Sequence, residues 1–231
     1  MSTERRIAPS LQRLAGGMVV SCQAREGNPL HGPVFMAAMA AAAVAGGAAG
    51  IRADGVADIS AIRAAVGPEI PILGISKLRL PDGSLFITPS VASAREIIDA
   101  GANLVALEAT TRPRPGGETL AQVVDGIHAA GALAMADCGT LEDARVAVTA
   151  GVDAVGSTMS GYVGGPKLAG PDFELIERMA AELPVAVFAE GRIWTPEDAK
   201  RALDLGATFV VVGTAITNPQ AITARFVAGL R

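Results

Sequence analysis

TPEDAKRALDLGATFVVVGT, residues 195–214, runs from a threonine through a segment of helical period to a glycine and then into an unbroken apolar run. TPSVASAREIIDAGANLVALEA (88–109) and TLEDARVAVTAGVDAVGST (140–158) follow the same plan. Thr88, Thr140 and Thr195 read as helix caps; Asp143 and Asp198 stand at the third helical position, and Pro196 suits a first turn. Gly101, Gly151 and Gly206 suit the ends of the same helices. Each unit is therefore a helix feeding a strand, and two such units in roughly 50 residues predict eight strands in a chain of this length.

Outward from these repeats, apolar runs alternate with helical segments along the whole chain, the pattern of β-α units around a parallel sheet. The runs are 18–23, 47–53, 71–77, 104–110, 133–139, 154–161, 184–191 and 209–216. The expected fold is a single (β/α)8 barrel spanning residues 1–231. Residues 1–17, with Ile7, Leu11 and Leu14 at helical spacing, should form a short helix closing the barrel floor. A doubly wound open sheet is the alternative, but GxGxxG does not follow the first strand.

Half of the 231 residues are apolar, enough for a large core, while the scarcity of aromatics leaves no platform for stacking bases. A net charge of −4 argues against nucleic acid as a partner. The longest apolar run, Phe35 to Gly50, falls short of the roughly 20 residues that span a bilayer and reads as an Ala-rich helix entering a strand, so no membrane is expected. Two cysteines without framework spacing, and no export signal after Arg5-Arg6, point to a reduced, cytoplasmic setting. The expected assembly is a homodimer.

In such a barrel the C-terminal strand ends form the active site. They carry Gln23, Arg52, Lys77, Glu108, Asp137, Ser157 or Thr158, Glu190 and Gly213-Thr214. Alternation along each strand places Leu73 and Ile75 beneath Lys77, Met135 and Leu133 beneath Asp137, and Phe188 and Ala186 beneath Glu190. The same parity turns Cys22 and Cys138 toward the helices as packing residues. His31 and His128 lack companions at ligand spacing, so no metal is expected. FAEGRI and VVGTAITNP, after the last two strands, place the backbone amides of Gly191, Arg192, Gly213 and Thr214 where barrels bind phosphate. Arg112 and Arg114 either clamp an anion or rim the mouth, and the Gly-rich stretch 160–171 has the composition of a lid.

A lysine and carboxylates facing a phosphorylated compound suit proton transfer beside a carbonyl, or Schiff-base chemistry on Lys77, with no cofactor. A third reading is a phosphosugar-binding protein without catalysis. VSCQA, GIRA, ILGISK with PDGSLFITP, EATTRPRP, AMADCGTLEDA, GSTMSGY, VFAEGRI with TPEDA, and VGTAITNP follow one another in order from Gly17 to about Leu230. That ordered set resembles the N-acetylmannosamine-6-phosphate 2-epimerases of sialic-acid catabolism. The resemblance implies a cofactor-independent isomerase that interconverts N-acetylmannosamine 6-phosphate and N-acetylglucosamine 6-phosphate. It puts the catalytic lysine on Lys77 and the catalytic glutamate on Glu190, sugar contacts on Gln23, Arg52 and Asp137, and phosphate on the backbone of Gly191, Arg192, Gly213 and Thr214. Two departures stand out. Glu108, also assigned to substrate, replaces the family's aspartate, and Asn218 replaces an arginine that contacts phosphate, so either Arg192 or Lys167 compensates or phosphate affinity falls.

Overall fold

A computed structural model describes residues 7–163 and 168–230. Eight strands close a parallel barrel: β1 (Met18–Cys22), β2 (Gly50–Asp54), β3 (Ile72–Ile75), β6 (Leu104–Glu108), β7 (Leu133–Asp137), β8 (Ala154–Gly156), β9 (Ala186–Glu190) and β10 (Phe209–Val212). Going round the barrel, β1 pairs with β10 and β2, so the sheet has no free edge. Between β3 and β6 the chain inserts a two-stranded antiparallel hairpin, β4 (Lys77–Arg79) and β5 (Leu85–Ile87).

Helices α2 (Pro33–Ala45), α3 (Val56–Val66), α4 (Val91–Asp99), α5 (Leu120–Ala129), α6 (Leu141–Thr149), α7 (Phe173–Glu182) and α8 (Pro196–Asp204) alternate with the strands. The caps follow the sequence signals at two of the three repeats. The Thr140 side chain accepts from the Asp143 amide while Asp143 returns a bond, and Thr195 accepts from the Asp198 amide. In the third repeat Ser90, not Thr88, caps α4, with Ser93 as its reciprocal partner. Thr88 lies two residues earlier with φ 47°, in the turn that leaves the hairpin. A short helix α1 (Pro9–Gln12) precedes the barrel, and Leu11 and Leu14 enter the barrel interior from below. It covers only part of the expected 1–17; residues 1–6 lie outside the described residues.

The core has two shells. Inside the barrel, Leu73, Ile75, Leu104, Ala106, Met135, Ala186, Phe188, Phe209 and Val211 pack in layers. Outside it, the opposite strand faces, Cys22 and Cys138 among them, pack against the helices. Phe188 stacks on Phe209 with centroids 5.6 Å apart. The ring has room because Gly156 has no side chain: a Cβ there would lie 2.1 Å from Phe188 Cε2. Among the described residues no helix is long and apolar enough to cross a membrane.

Candidate active site

Alternation along β2 turns Arg52 into the barrel, where it becomes the centre of the mouth. Its Nη2 donates to Asp137 Oδ2 at 2.6 Å and its Nη1 to Asp137 Oδ1 at 3.1 Å and Glu190 Oε2 at 2.6 Å. The side chains of Arg52 and Asp137 are 1% and 0% exposed, so this pair forms the floor, while Glu190, at 15%, reaches the opening. Thr158 donates its hydroxyl to Asp137 Oδ1 at 2.6 Å and stands 3.3 Å from Glu190 Oε2. Ser157, the other candidate at this strand end, fixes the Glu190 backbone instead, donating to its carbonyl at 2.9 Å and accepting from its amide at 3.2 Å.

This clustering sets the protonation of the site. Burial disfavours charge on Arg52, but Asp137 and Glu190 outweigh it and hold the guanidinium proton more tightly than usual. Burial pushes the Glu190 carboxyl up to about 7 against the pull of Arg52; Asp137 adds to the rise, while Thr158 and Lys77 oppose it. A carboxyl so placed can hold or release a proton near neutral pH.

Lys77 stands beside the ends of β1 and β2. β3 stops at Ile75, and the lysine opens the hairpin as the first residue of β4, pairing with Ile87, rather than ending the barrel strand as its sequence implied. Its amine donates to Gln23 Oε1 and lies 3.3 Å from Asp54 Oδ2. Gln23 in turn donates to Ser21 Oγ at 2.7 Å. Asp54 was not singled out by the sequence reading, although it follows Arg52 by two residues on the same inward face. The hairpin was also missed; its signal was Pro-Asp-Gly-Ser (81–84) between two short apolar segments.

Thr88 pins the hairpin to the barrel. It accepts from the Ser76 amide at 3.1 Å and donates to the Ala106 carbonyl at 2.6 Å, and its own amide donates to the Ser76 carbonyl at 2.8 Å.

Three expectations are corrected. Glu108, assigned to substrate, is fully buried, and Arg112 binds both its oxygens at 2.8 and 2.7 Å while Thr110 donates at 2.6 Å. The carboxylate anchors the wall of the site. Arg112 and Arg114 do not form an anion clamp: Arg112 holds Glu108, and Arg114 donates to the carbonyls of Glu108 and Thr88 at 2.5 and 3.1 Å. Both lie over the Phe86 ring. The Arg192 guanidinium, a candidate to compensate for Asn218, donates to the carbonyls of Gly170 and Ser160 at 2.7 and 2.8 Å and lies over Tyr162. It fastens the stretch 160–171, of which residues 164–167, with Lys167, lie outside the described residues.

Gly191 and Arg192 follow β9 with φ of 110° and 57°, and Gly213 caps the short helix α9 (Thr214–Thr217). Asn218 accepts from the Ala221 amide at 3.0 Å and so caps α10 (Pro219–Gly229). Among the described residues no loop or turn hydrogen bond takes up the amides of Gly191, Arg192, Gly213 or Thr214. Cys22 and Cys138 are buried, and burial pushes the Cys22 thiol up to about 12 and that of Cys138 well above its usual range, so neither is a nucleophile at neutral pH. His128 pairs with Asp153 at 2.8 Å on the outer surface.

A closed parallel barrel whose strand ends gather an amine, buried carboxylates and a guanidinium defines a (β/α)8-barrel enzyme. Residues 36–231 match the family described as "Putative N-acetylmannosamine-6-phosphate epimerase", and the chain belongs to this isomerase family. A relative from Caldanaerobacter subterraneus, named "Putative N-acetylmannosamine-6-phosphate 2-epimerase", is 47% identical over 224 residues, covering 96% of this chain and 94% of the relative. One of the same name from Cutibacterium acnes is 47% identical over 222 residues, covering 94% and 95%. The solved structure of the N-acetylmannosamine-6-phosphate 2-epimerase from Clostridium perfringens superposes with a TM-score of 0.91 at 44% identity, covering 99% of each chain.

Proposed function

We propose that this protein interconverts N-acetylmannosamine 6-phosphate and N-acetylglucosamine 6-phosphate by removing the C2 proton and returning one to the other face. The observation that carries the reading is the placement of Lys77 and Glu190. β3, which leads into Lys77, and β9, which ends in Glu190, lie four strand-to-strand steps apart, half the circumference of the barrel. Two proton-transferring groups facing one small substrate from opposite walls suit inversion at a carbon.

In the open-chain aldehyde the C2 hydrogen is acidified by the adjacent carbonyl. Lys77 Nζ takes that proton, the electron pair moves into an enolate, and reprotonation from the opposite face inverts C2. Glu190, its carboxyl poised near 7, serves as the counterpart in that exchange or as the acid that opens the ring. The Arg52 guanidinium, fixed between Asp137 and Glu190, supplies positive charge beneath the developing enolate oxygen without needing to reorient. Gln23 is assigned to the sugar hydroxyls or acetamido group; Asp137, also expected to contact the sugar, is buried beneath Arg52 with both oxygens taken and holds that guanidinium in place. The backbone amides of Gly191, Arg192, Gly213 and Thr214 are assigned to the phosphate, an assignment supported by their lack of loop partners.

We further propose a homodimer in the cytoplasm, where phosphorylated sugars are retained. α10 buries none of its residues; Phe226 (73%) is exposed on it and Leu230 (87%) just after it, as Val34 and Phe35 are on α2, and a second copy would cover these apolar faces. Sedimentation at micromolar concentration as a single monomer would rule that assembly out.

The test of the reaction is solvent deuterium entry at C2 of N-acetylmannosamine 6-phosphate, followed by proton NMR, with unphosphorylated N-acetylmannosamine as comparison. Lys77→Ala and Glu190→Gln should each abolish exchange while leaving the fold intact, and turnover at the wild-type rate in either variant refutes its role. Borohydride trapping of Lys77 with substrate would instead identify Schiff-base chemistry.

A further inference from the structure

The residue on which this reading rests lies outside the barrel sheet. Lys77 follows the end of β3 by two residues and pairs only with β5, in a ladder of three residue pairs. The barrel ladder does not include it; Thr88 pins the neighbouring Ser76 to the barrel, but four rotatable bonds separate the Lys77 backbone from the amine.

One carboxylate holds both ends of this residue. Asp54 Oδ1 accepts from the Lys77 backbone amide at 3.1 Å, and Asp54 Oδ2 lies 3.3 Å from Nζ. Asp54 is itself well placed to do so. It pairs with Ile75 in the β2–β3 register, and the amide of Gly55 donates to the Ile75 carbonyl at 2.8 Å, which ties the ends of the two strands together. The two side chains are 26% and 27% exposed, open enough for substrate to reach the amine and enclosed enough for the contact to persist.

We propose that Asp54 is the positioning residue for Lys77, bracing its amide and amine together so that the hairpin presents the amine to C2 at a fixed height. The inference rests on Lys77 as the proton-transferring group. Asp54 touches Lys77, not the floor cluster, and the other partner of the lysine amine is the neutral Gln23. The charged groups around the pair are Glu190, which feels Lys77 across the mouth, and Arg52, which feels Asp54 from below. On α3, Asp58 also feels Asp54, with His31 opposing.

Two substitutions separate positioning from plain structure. Asp54→Asn keeps an acceptor for the Lys77 amide and removes the charge; Asp54→Ala removes both. With N-acetylmannosamine 6-phosphate, Asp54→Ala should lower kcat about 10²-fold, the cost expected when a reacting group is misplaced by about 1 Å, while KM stays within about twofold. Asp54→Asn should retain more activity than Asp54→Ala, because it keeps the acceptor for the Lys77 amide. Wild-type kcat in Asp54→Ala overturns the proposal, as does a loss that falls mainly on KM. Lys77→Ala is run alongside. If it retains C2 exchange, the reading of Lys77 fails; if it is inert while Asp54→Ala is fully active, only the bracing role fails.

Discussion

Replacing Arg52 with methionine tests the electrostatic core of the site most directly. The substitution keeps an unbranched side chain of similar reach and removes the single cation bound to Asp137 and Glu190 through contacts of 2.6, 3.1 and 2.6 Å. Arg52 is 1% exposed, so water cannot take its place. Removing one partner of a buried ionic cluster typically costs about 3–5 kcal/mol, and that is the loss expected at pH 8, where both carboxylates are charged.

The loss should shrink at lower pH. The folded-state value of Glu190, about 7, already exceeds its ordinary 4.5, so the native state holds this proton more tightly than the unfolded chain. Its contribution to stability is complete below about 4.5 and is lost as pH rises through 7. Without the opposing pull of Arg52 the carboxyl rises further, and the loss extends to higher pH in the variant than in the wild type. Urea unfolding followed by circular dichroism at pH 5 and pH 8 would therefore give a larger difference at pH 8. A loss below about 1 kcal/mol, or one equal at the two values, would refute the claim that Arg52 neutralises two buried carboxylates.

Thr158→Val removes the hydroxyl that opposes the upward shift of Glu190, so the activity step that tracks this carboxyl should move to higher pH; an unmoved step in the kcat/KM profile would detach Thr158 from it. Gly156→Ala places a methyl group 2.1 Å from a Phe188 ring held against Phe209, and should destabilise the barrel by about 1–3 kcal/mol in the same urea assay. An unchanged midpoint would mean that the ring can swing away.

Much of the barrel was legible because it rests on local rules repeated eight times. A capping threonine, an amphipathic helix, a glycine in the left-handed region and an apolar strand require no knowledge of distant partners. Alternation then assigned the inward residues, and Leu73, Met135 and Phe188 all lie in the interior cluster beneath the charged mouth. What alternation could not supply was pairing between strands. Glu108 and Arg52 both read as polar groups at strand ends, yet one is bound by Arg112 four residues away and the other by residues 85 and 138 positions away. Lys77 read as the end of a barrel strand but opens the hairpin, because Ser76 disguised the break between the two. Thr88 resembled a cap for a similar reason: Ser90 lies two residues further on with the same chemistry.

With the role proposed for Lys77, the hairpin is a modular reagent arm. A ladder of three residue pairs is too small to persist alone, and its order comes from Thr88, Asp54 and the arginines stacked on Phe86. Apart from the charged residues at their ends, the barrel strands can therefore drift in sequence subject to packing, while the reach of the amine is tuned separately by the residues of the arm and its turn at 81–84. Descent with altered substrate length could proceed by editing that arm alone, without recutting the cylinder that carries it.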